Sequence, residues 1–410
     1  MEIKYQGKLN TKKKTLWTNS NFLYLWLASA IGTIGLQMYI VAIPLLIYDM
    51  SKSALAMSTM RAIEFLPNII LGMLAGVLVD RADRKNVMSG MTLIQLCAIG
   101  GLLFLLHSEQ LVIWHLFLLG FILSAAGYTF GNAQHAIVPL VVKKEQLTDA
   151  NAKFSFTQTL LSLIGPGIAG MLIAAYSYKI SFTIYFFCLF FLLFLIRFLY
   201  LPPIEKKTSK DTTIIQEMKE GLIELFGNKT LLVPTIVILM LNFFSSLVLG
   251  VLIFFAADYL GANEKQIGFM LSMSAVGGLV GSLLIPYLRK HFPRGKIFVS
   301  CFLFDITGLI VLVVASSWWM VGISLFIRMI GTMMLNIVYF TIRQEFTPNH
   351  LLGRVAGTSS MLMKLASPLG FFLSGIWAEF FSVRGLFMIS FIFAIIMFVK
   401  LRKHEIVQIE

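Results

Sequence analysis

The chain has 410 residues, of which 58% are hydrophobic and only 13% charged, and its mean hydropathy is +0.84. So much apolar surface excludes a water-soluble domain, whose outside must meet solvent, and runs that are continuously apolar rather than alternating exclude a β-barrel. The net charge of +13 has the sign of a nucleic-acid binder, but its distribution along the chain fits a membrane topology instead.

A polar, basic start (Lys4, Lys8, Lys12, Lys13, Lys14) precedes an apolar run that opens near Phe22. That run is too long for the apolar core of a cleavable signal and is read as a retained membrane helix. Apolar windows then fall at about 22–48, 56–79, 87–106, 112–139, 152–175, 181–200, 231–256, 266–288, 297–316, 318–341, 355–380 and 385–401. Each can cross about 30 Å of hydrocarbon. Twelve spans put the cationic N-terminal segment, Arg81, Arg84, Lys85, Lys143, Lys144, the long central loop and the C-terminal cations on one side. The other side receives only Lys52, Lys179, Lys265 and Arg384. The positive-inside rule therefore places both termini in the cytoplasm, with the excess cations meeting anionic lipid.

Between the second and third spans lies Gly76-Val-Leu-Val-Asp80-Arg81-Ala-Asp83-Arg84-Lys85, with five ionised groups in its last six residues. A loop this short at a membrane surface has few geometries, which makes it a candidate switch element. The fifth span contains Gly165-Pro166-Gly167-Ile-Ala-Gly170; proline removes a helical hydrogen bond and glycine permits close approach. A bend and a packing face shared with the eighth span, where Gly277, Gly278 and Gly281 recur, are expected. Leu201 to about Thr230 is the one long loop, starting Pro202-Pro203 and continuing as an amphipathic helix with Met218, Leu222 and Leu225 on its apolar side. It divides the chain into an N-terminal half (1–204), a linker (205–230) and a C-terminal half (231–410). A polar loop followed by a small-residue proline helix occurs twice, at Lys144–Gly170 and Asn349–Gly375, the mark of an internal duplication. Two six-span halves related by an axis along the membrane normal are a known transporter architecture.

Gly76-x-Leu78-x-Asp80-Arg81-x-x-Arg84-Lys85 resembles the signature of the major facilitator superfamily, although Asp83 stands where many members carry glycine. The Asp-Arg-x-Asp-Arg form, Leu66-Pro67, Glu145-Gln146-Leu147 and Leu352-Gly353-Arg354-Val355 resemble its bacterial macrolide-efflux and siderophore-export branch. Gly165-Pro166-x-x-Ala169-Gly170 resembles the fifth-span motif of its antiporters. The resemblance covers nearly the whole chain. It implies an all-α polytopic membrane protein of twelve helices in the bacterial inner membrane, a monomer, that exports small apolar or amphipathic compounds by proton antiport and alternating access. It also implies that Asp80 latches an inner gate against the eleventh span near Arg354, with Gly76, Arg81, Arg84 and Lys85 around it. Spans one, four, seven and ten would line the cavity, which makes Gln37, Asn242, Phe243 and Asn336 candidate substrate contacts. One departure stands out: many drug antiporters place an arginine in span four, where this chain has Leu123, whereas Arg328 occupies the corresponding span ten.

An ionisable group in mid-membrane costs about 2.5–3.5 kcal/mol on insertion scales and normally finds a partner or a function. Arg61 and Glu64, three apart in span two, share a helix face; Glu64 is either a protonatable coupling group or the structural partner of Arg61. Asp305 and Arg328 are further coupling candidates, Arg328 is expected in the cavity, and Lys364 pairs with Asp305 or reaches the surface. Asn132, Gln134 and Gln158 are other polar points, and His135 reads as a loop histidine near the cytoplasmic end. Cys97, Cys188 and Cys301 sit inside apolar runs without metal-ligand spacing, and no nucleophile set, phosphate loop or cofactor motif appears. The expected partners are a small-molecule substrate, protons and lipid, with no nucleic acid, metal or cofactor, and enzymatic activity is excluded. Proton-coupled import and lipid or lysolipid flipping are the rival readings on the same fold.

Overall fold

The computed structural model describes residues 16–71, 82–201, 214–348 and 350–408. Among them every regular element is helical. Six helices form the first half: α1 (Ser20–Ser51), α2 (Ala54–Ile70), α3 (Arg84–His107), α4 (Ile113–Val141), α5 (Leu147–Ala175) and α6 (Tyr178–Arg197). The linker helix α7 (Ile214–Gly227) follows. The second half contains α8 (Lys229–Phe254), α9 (Glu264–Leu288), α10 (Arg294–Val313), α11 (Trp318–Phe346), α12 (Leu352–Leu365), α13 (Ser367–Phe380) and α14 (Val383–Leu401). Eleven stretches are long and apolar enough to cross a membrane, with α12 and α13 together forming one of them. With α2, which occupies the window expected at 56–79, they match the twelve expected spans.

Short polar residues set the helix starts by accepting otherwise orphaned backbone N–H groups. Asn19 caps α1, Ser53 caps α2, Asp83 caps α3 and Asn228 caps α8. At α9, Asn263 and Gln266 cap each other's backbone in a reciprocal box. The eleventh span is interrupted at Ala366, ahead of Ser367-Pro368, as expected where proline disfavours the helical conformation of its neighbours. The seventh span ends in a π-helical turn, Phe255–Tyr259.

Two faces can be distinguished: a proximal one, where α1 begins and α14 ends, and a distal one. The halves meet through α5 against α9 and α2 against α13. On the distal side a single apolar cluster draws from both halves, joining Met38, Ile47, Met57 and Met60 to Val251, Phe255, Ile267 and Met270. Tyr48 donates to Asp258 at 3.0 Å and Ser53 to Glu379 at 3.1 Å across the same seam. Toward the proximal side the buried clusters separate, one built from residues 16–199 and the other from residues 237–406. The described residues thus form a state sealed distally and parted proximally.

The shared face of the fifth and eighth spans involves different glycines from those expected. A Cβ on Gly170 would lie 3.1 Å from Cα of Gly268 and closer still to the Glu264 carbonyl, while Gly167 N–H donates to Ser272. Gly277 and Gly281 instead press on Phe326 and Ile330 of α11. Nine residues separate Gly268 from Gly277, which is two and a half helical turns, so they occupy opposite faces of α9. Helix α5 runs unbroken through Gly165 and Pro166, with Gly165 packed on Gln37.

Candidate functional site

A cavity of about 690 Å³ lies between the halves, within the range of small-molecule sites. Its lining reaches from Tyr39, Ile40 and Ile253 at mid-depth to Ser29, Val138 and Asn151 near the proximal face. Arg61 and Glu64 both line it, joined by a 3.2 Å ion pair. Arg61 also donates to the Ile40 carbonyl at 3.4 Å, and the Ser124 hydroxyl donates to the Glu64 backbone carbonyl. The second carboxyl oxygen of Glu64 and the Tyr39 hydroxyl are both buried and interact with one another, but outside ordinary hydrogen-bond geometry. Buried polar atoms are ordinarily satisfied, so this is a place where a proton or a ligand group changes the energetics.

The other expected cavity residues do not line this space. Gln37 is turned into the α1–α5 contact, donating to Ser162 at 3.2 Å, and its neighbour Leu36 faces the cavity. Asn242 donates to the Met363 carbonyl at 2.8 Å, and Phe243 stacks edge-on with Phe244. Asn242 and Asn336 border a separate pocket of about 40 Å³ inside the second half, together with Ser245, Thr332 and Asp305. Arg328 is only 7% exposed and lines neither space; it binds Asp305 at 2.7 Å and Ser245 at 3.4 Å. Arg328 rather than Lys364 is therefore the partner of Asp305, and Lys364 is exposed.

The two halves differ at matching positions here. Gln95 and Asp305 each stand eleven residues beyond the first residue of their helix, and Leu123 and Arg328 each ten beyond theirs. In the second half the two side chains form a buried ion pair. In the first, Gln95 donates to the Leu123 carbonyl at 3.4 Å. The same crossing is thus made with charge in one half and without it in the other.

Gly76, Asp80 and Arg81 lie outside the described residues. Arg84 donates to the Ala136 carbonyl at 2.9 Å, and Lys85 to the Arg197 and Leu199 carbonyls at 2.9 and 2.6 Å. Both cations thus bind carbonyls near the C-terminal ends of α4 and α6, where the helix dipole favours positive charge. Arg354 pairs with Glu220 of the linker helix. Helix α7 packs on α12 and α8; a Cβ on Gly221 would come within 2.7 Å of the Arg354 carbonyl.

Sequence reasoning missed Tyr39, Tyr185 and Gln95 and passed over Gln134 and Gln158, all of which line the large cavity. His135 lies within α4 and lines it too, rather than sitting in a loop. A tyrosine inside an apolar run, with one polar tip to satisfy, was the available signal. Among the described residues no group of three or more potential ligands could hold a metal ion.

The all-helical architecture with its interior cavity suits a membrane transporter, and the sequence comparison agrees. The family model described as Major Facilitator Superfamily matches residues 25–357, and again 235–405; the chain belongs to that family. It is a multi-pass membrane transporter and not an enzyme. It is 26% identical over 388 residues to macrolide efflux protein A of Streptococcus pyogenes, covering 90% of this chain and 92% of that one. It is 24% identical to the multidrug efflux pump Tap of Mycolicibacterium fortuitum, over 92% and 93% of the two chains. Among solved structures, a mutant of the nucleoside transporter NupG superposes with a TM-score of 0.75 at 12% identity, covering 93% of this chain and 99% of that one. A bacterial homologue of the iron transporter ferroportin does so with a TM-score of 0.72 at 18% identity, covering 94% and 99%. At these identities the two structures share the fold alone.

Proposed function

We propose that this protein exports small apolar or amphipathic compounds across the bacterial plasma membrane in exchange for protons, with both termini cytoplasmic. The observation that supports it most is the cavity of about 690 Å³ with a carboxyl group, Glu64, in its wall. The names of the efflux relatives point the same way, and the cation asymmetry of the loops supports a cytoplasmic proximal face. On this reading the described state is inward-facing, ready to collect a compound from the cytoplasm or the inner leaflet.

Exchange requires ligand and proton to make opposite demands on one group. Ionised Glu64 accepts hydrogen bonds from ligand O–H or N–H groups; once protonated it loses both its pull on Arg61 and much of that accepting power. Binding of ligand and of proton are then alternatives, and each favours passage through a different half of the cycle. Glu64 fits this role better than Asp305, which is fixed by Arg328 and lies off the large cavity. The Asp80 gate remains part of the proposal: its carboxylate would hold the proximal side shut against the eleventh span in the opposite state.

The test is efflux from proteoliposomes under an imposed pH gradient, with a panel of macrolides, dyes, siderophores and lysolipids. Export that follows the gradient and reverses with it is expected. Export indifferent to the gradient would reject proton exchange.

A further inference from the structure

Every polar side chain among the residues that line the cavity comes from the first half. The second half contributes Leu249, Leu252, Ile253, Leu271 and Phe371, all apolar. The first half contributes a mixed wall, in which the amides of Asn68, Gln95, Gln134, Asn151 and Gln158, together with Arg61 and Glu64, are set among apolar side chains such as Leu36, Ile40, Phe130 and Leu189. Gln134 spends one amide hydrogen on Ser29 at 2.9 Å, and Gln95 one on the Leu123 carbonyl. An amide has two donor hydrogens and a carbonyl acceptor, so capacity remains for a ligand. The polar groups of the second half are used elsewhere. Arg328 donates to both Asp305 and Ser245, and Asn242 donates to a backbone carbonyl, around or beside the small inner pocket.

We propose that the cavity selects facially amphipathic ligands, which carry hydroxyl or ether oxygens on one face and hydrocarbon on the other. The oxygenated face docks on the first half and the hydrocarbon face on the second. The physics is asymmetric. A hydroxyl pressed on the leucine wall loses its water and gains no partner, while hydrocarbon laid over the glutamines strands their amides. A ligand of the right overall polarity but with its oxygens on both faces therefore binds poorly. This inference rests on the reading that the cavity holds the transported compound. It adds a rule about geometry, which polarity and volume alone do not contain.

Two uncharged isomers test it: methyl chenodeoxycholate, with both hydroxyls on one face, and methyl ursodeoxycholate, with one hydroxyl turned to the other face. Their formulae and volumes are equal. Binding to the purified full-length protein in nanodiscs is expected to favour the first about tenfold, the value of one stranded hydroxyl. Leu249→Thr, which puts a hydroxyl into the apolar wall, should shrink that ratio to near unity by strengthening the second ligand. Comparing ratios between proteins cancels the isomers' different partitioning into lipid. Leu271→Thr is the second variant should Leu249→Thr fail to fold. Equal binding by the wild type, binding of neither ester, or a ratio unmoved by a folded variant would each overturn the proposal. Gradient-driven export of other compounds in the liposome assay would meanwhile show that the transport reading stands without it.

Discussion

Replacing Arg328 by leucine, alone and together with Asp305→Gln, separates a structural ion pair from a coupling site. The double variant installs in the second half the pair that the first half already uses, glutamine on the third helix of the half and leucine on the fourth. Arg328 and Asp305 side chains are 8% and 18% exposed, so the pair is largely withdrawn from solvent. Removing one member of such a pair leaves a buried charge alone and costs about 3–5 kcal/mol. Replacing both with neutral residues of similar bulk is often neutral. Arg328→Leu alone is therefore expected to destabilise the purified transporter by about 3 kcal/mol or more, enough to shift a folded/unfolded ratio about a hundredfold. Asp305→Gln/Arg328→Leu should recover most of that loss. Thermal unfolding in detergent, followed by size-exclusion chromatography, of the wild type, Arg328→Leu, Asp305→Gln and the double variant reads the coupling directly. The double variant should also retain gradient-driven export. If it is as unstable as the single variant, the pair is not what makes Asp305 costly; if it is stable but has lost coupling to the gradient, proton exchange belongs at Asp305.

Glu64→Gln keeps the side-chain volume and removes the titrating group; the protein should insert and bind ligand, while uphill export falls at least tenfold and ligand counterflow persists. Persistent uphill, pH-dependent export would reject Glu64 as the coupling residue. Gly268→Val forces a branched side chain against Gly170 and the Pro166 carbonyl, an overpacking worth about 1–3 kcal/mol. It should lower both thermal stability and transport, whereas Gly101→Val, where the added Cβ meets nothing within 4 Å, should leave both unchanged. Glu220→Gln removes one charged partner of Arg354, and the Glu220 side chain is 45% exposed, so the loss in thermal stability should stay below about 1 kcal/mol. A larger loss would mean that the linker helix is held more by charge than by its packing on α12.

The spans were legible to within several residues because apolar length acts locally, whereas the capping residues that fix their ends emerged only with the fold. Which residues face the cavity was much less so. Helices such as α1 and α14 are apolar almost all round, so hydrophobic patterning does not say which stripe meets a neighbour. Gln37 and Leu36 differ by about 100° of rotation, and that rotation separates a contact between helices from the cavity wall. Arg328 was noticed correctly as a buried charge, but its partner lies 23 residues away on another helix; only the crossing of α10 and α11 brings Asp305 to it. The glycines of α9 were legible as close-packing points, yet assigning them to the right partner required knowing which face each occupies. Tyr39 and Glu64 become notable together only in the fold, when the Tyr39 hydroxyl of α1 and the carboxyl oxygen of Glu64 that Arg61 does not bind are buried in one place.

The unequal walls of the cavity bear on how such a protein would adapt. A lineage under selection to expel a new compound can gain or lose hydrogen bonds at many positions between Ser29 and Leu192, most of them separate from the seam that closes the distal side. In the second half, useful changes at Leu252, Leu271 or Phe371 would be changes of bulk, because the same segments pack against the partner half. If the protein exports compounds as proposed, shifts in the polar groups it accepts should arise from exchanges in the first two hundred residues, whereas useful exchanges beyond residue 249 should be apolar ones that alter bulk.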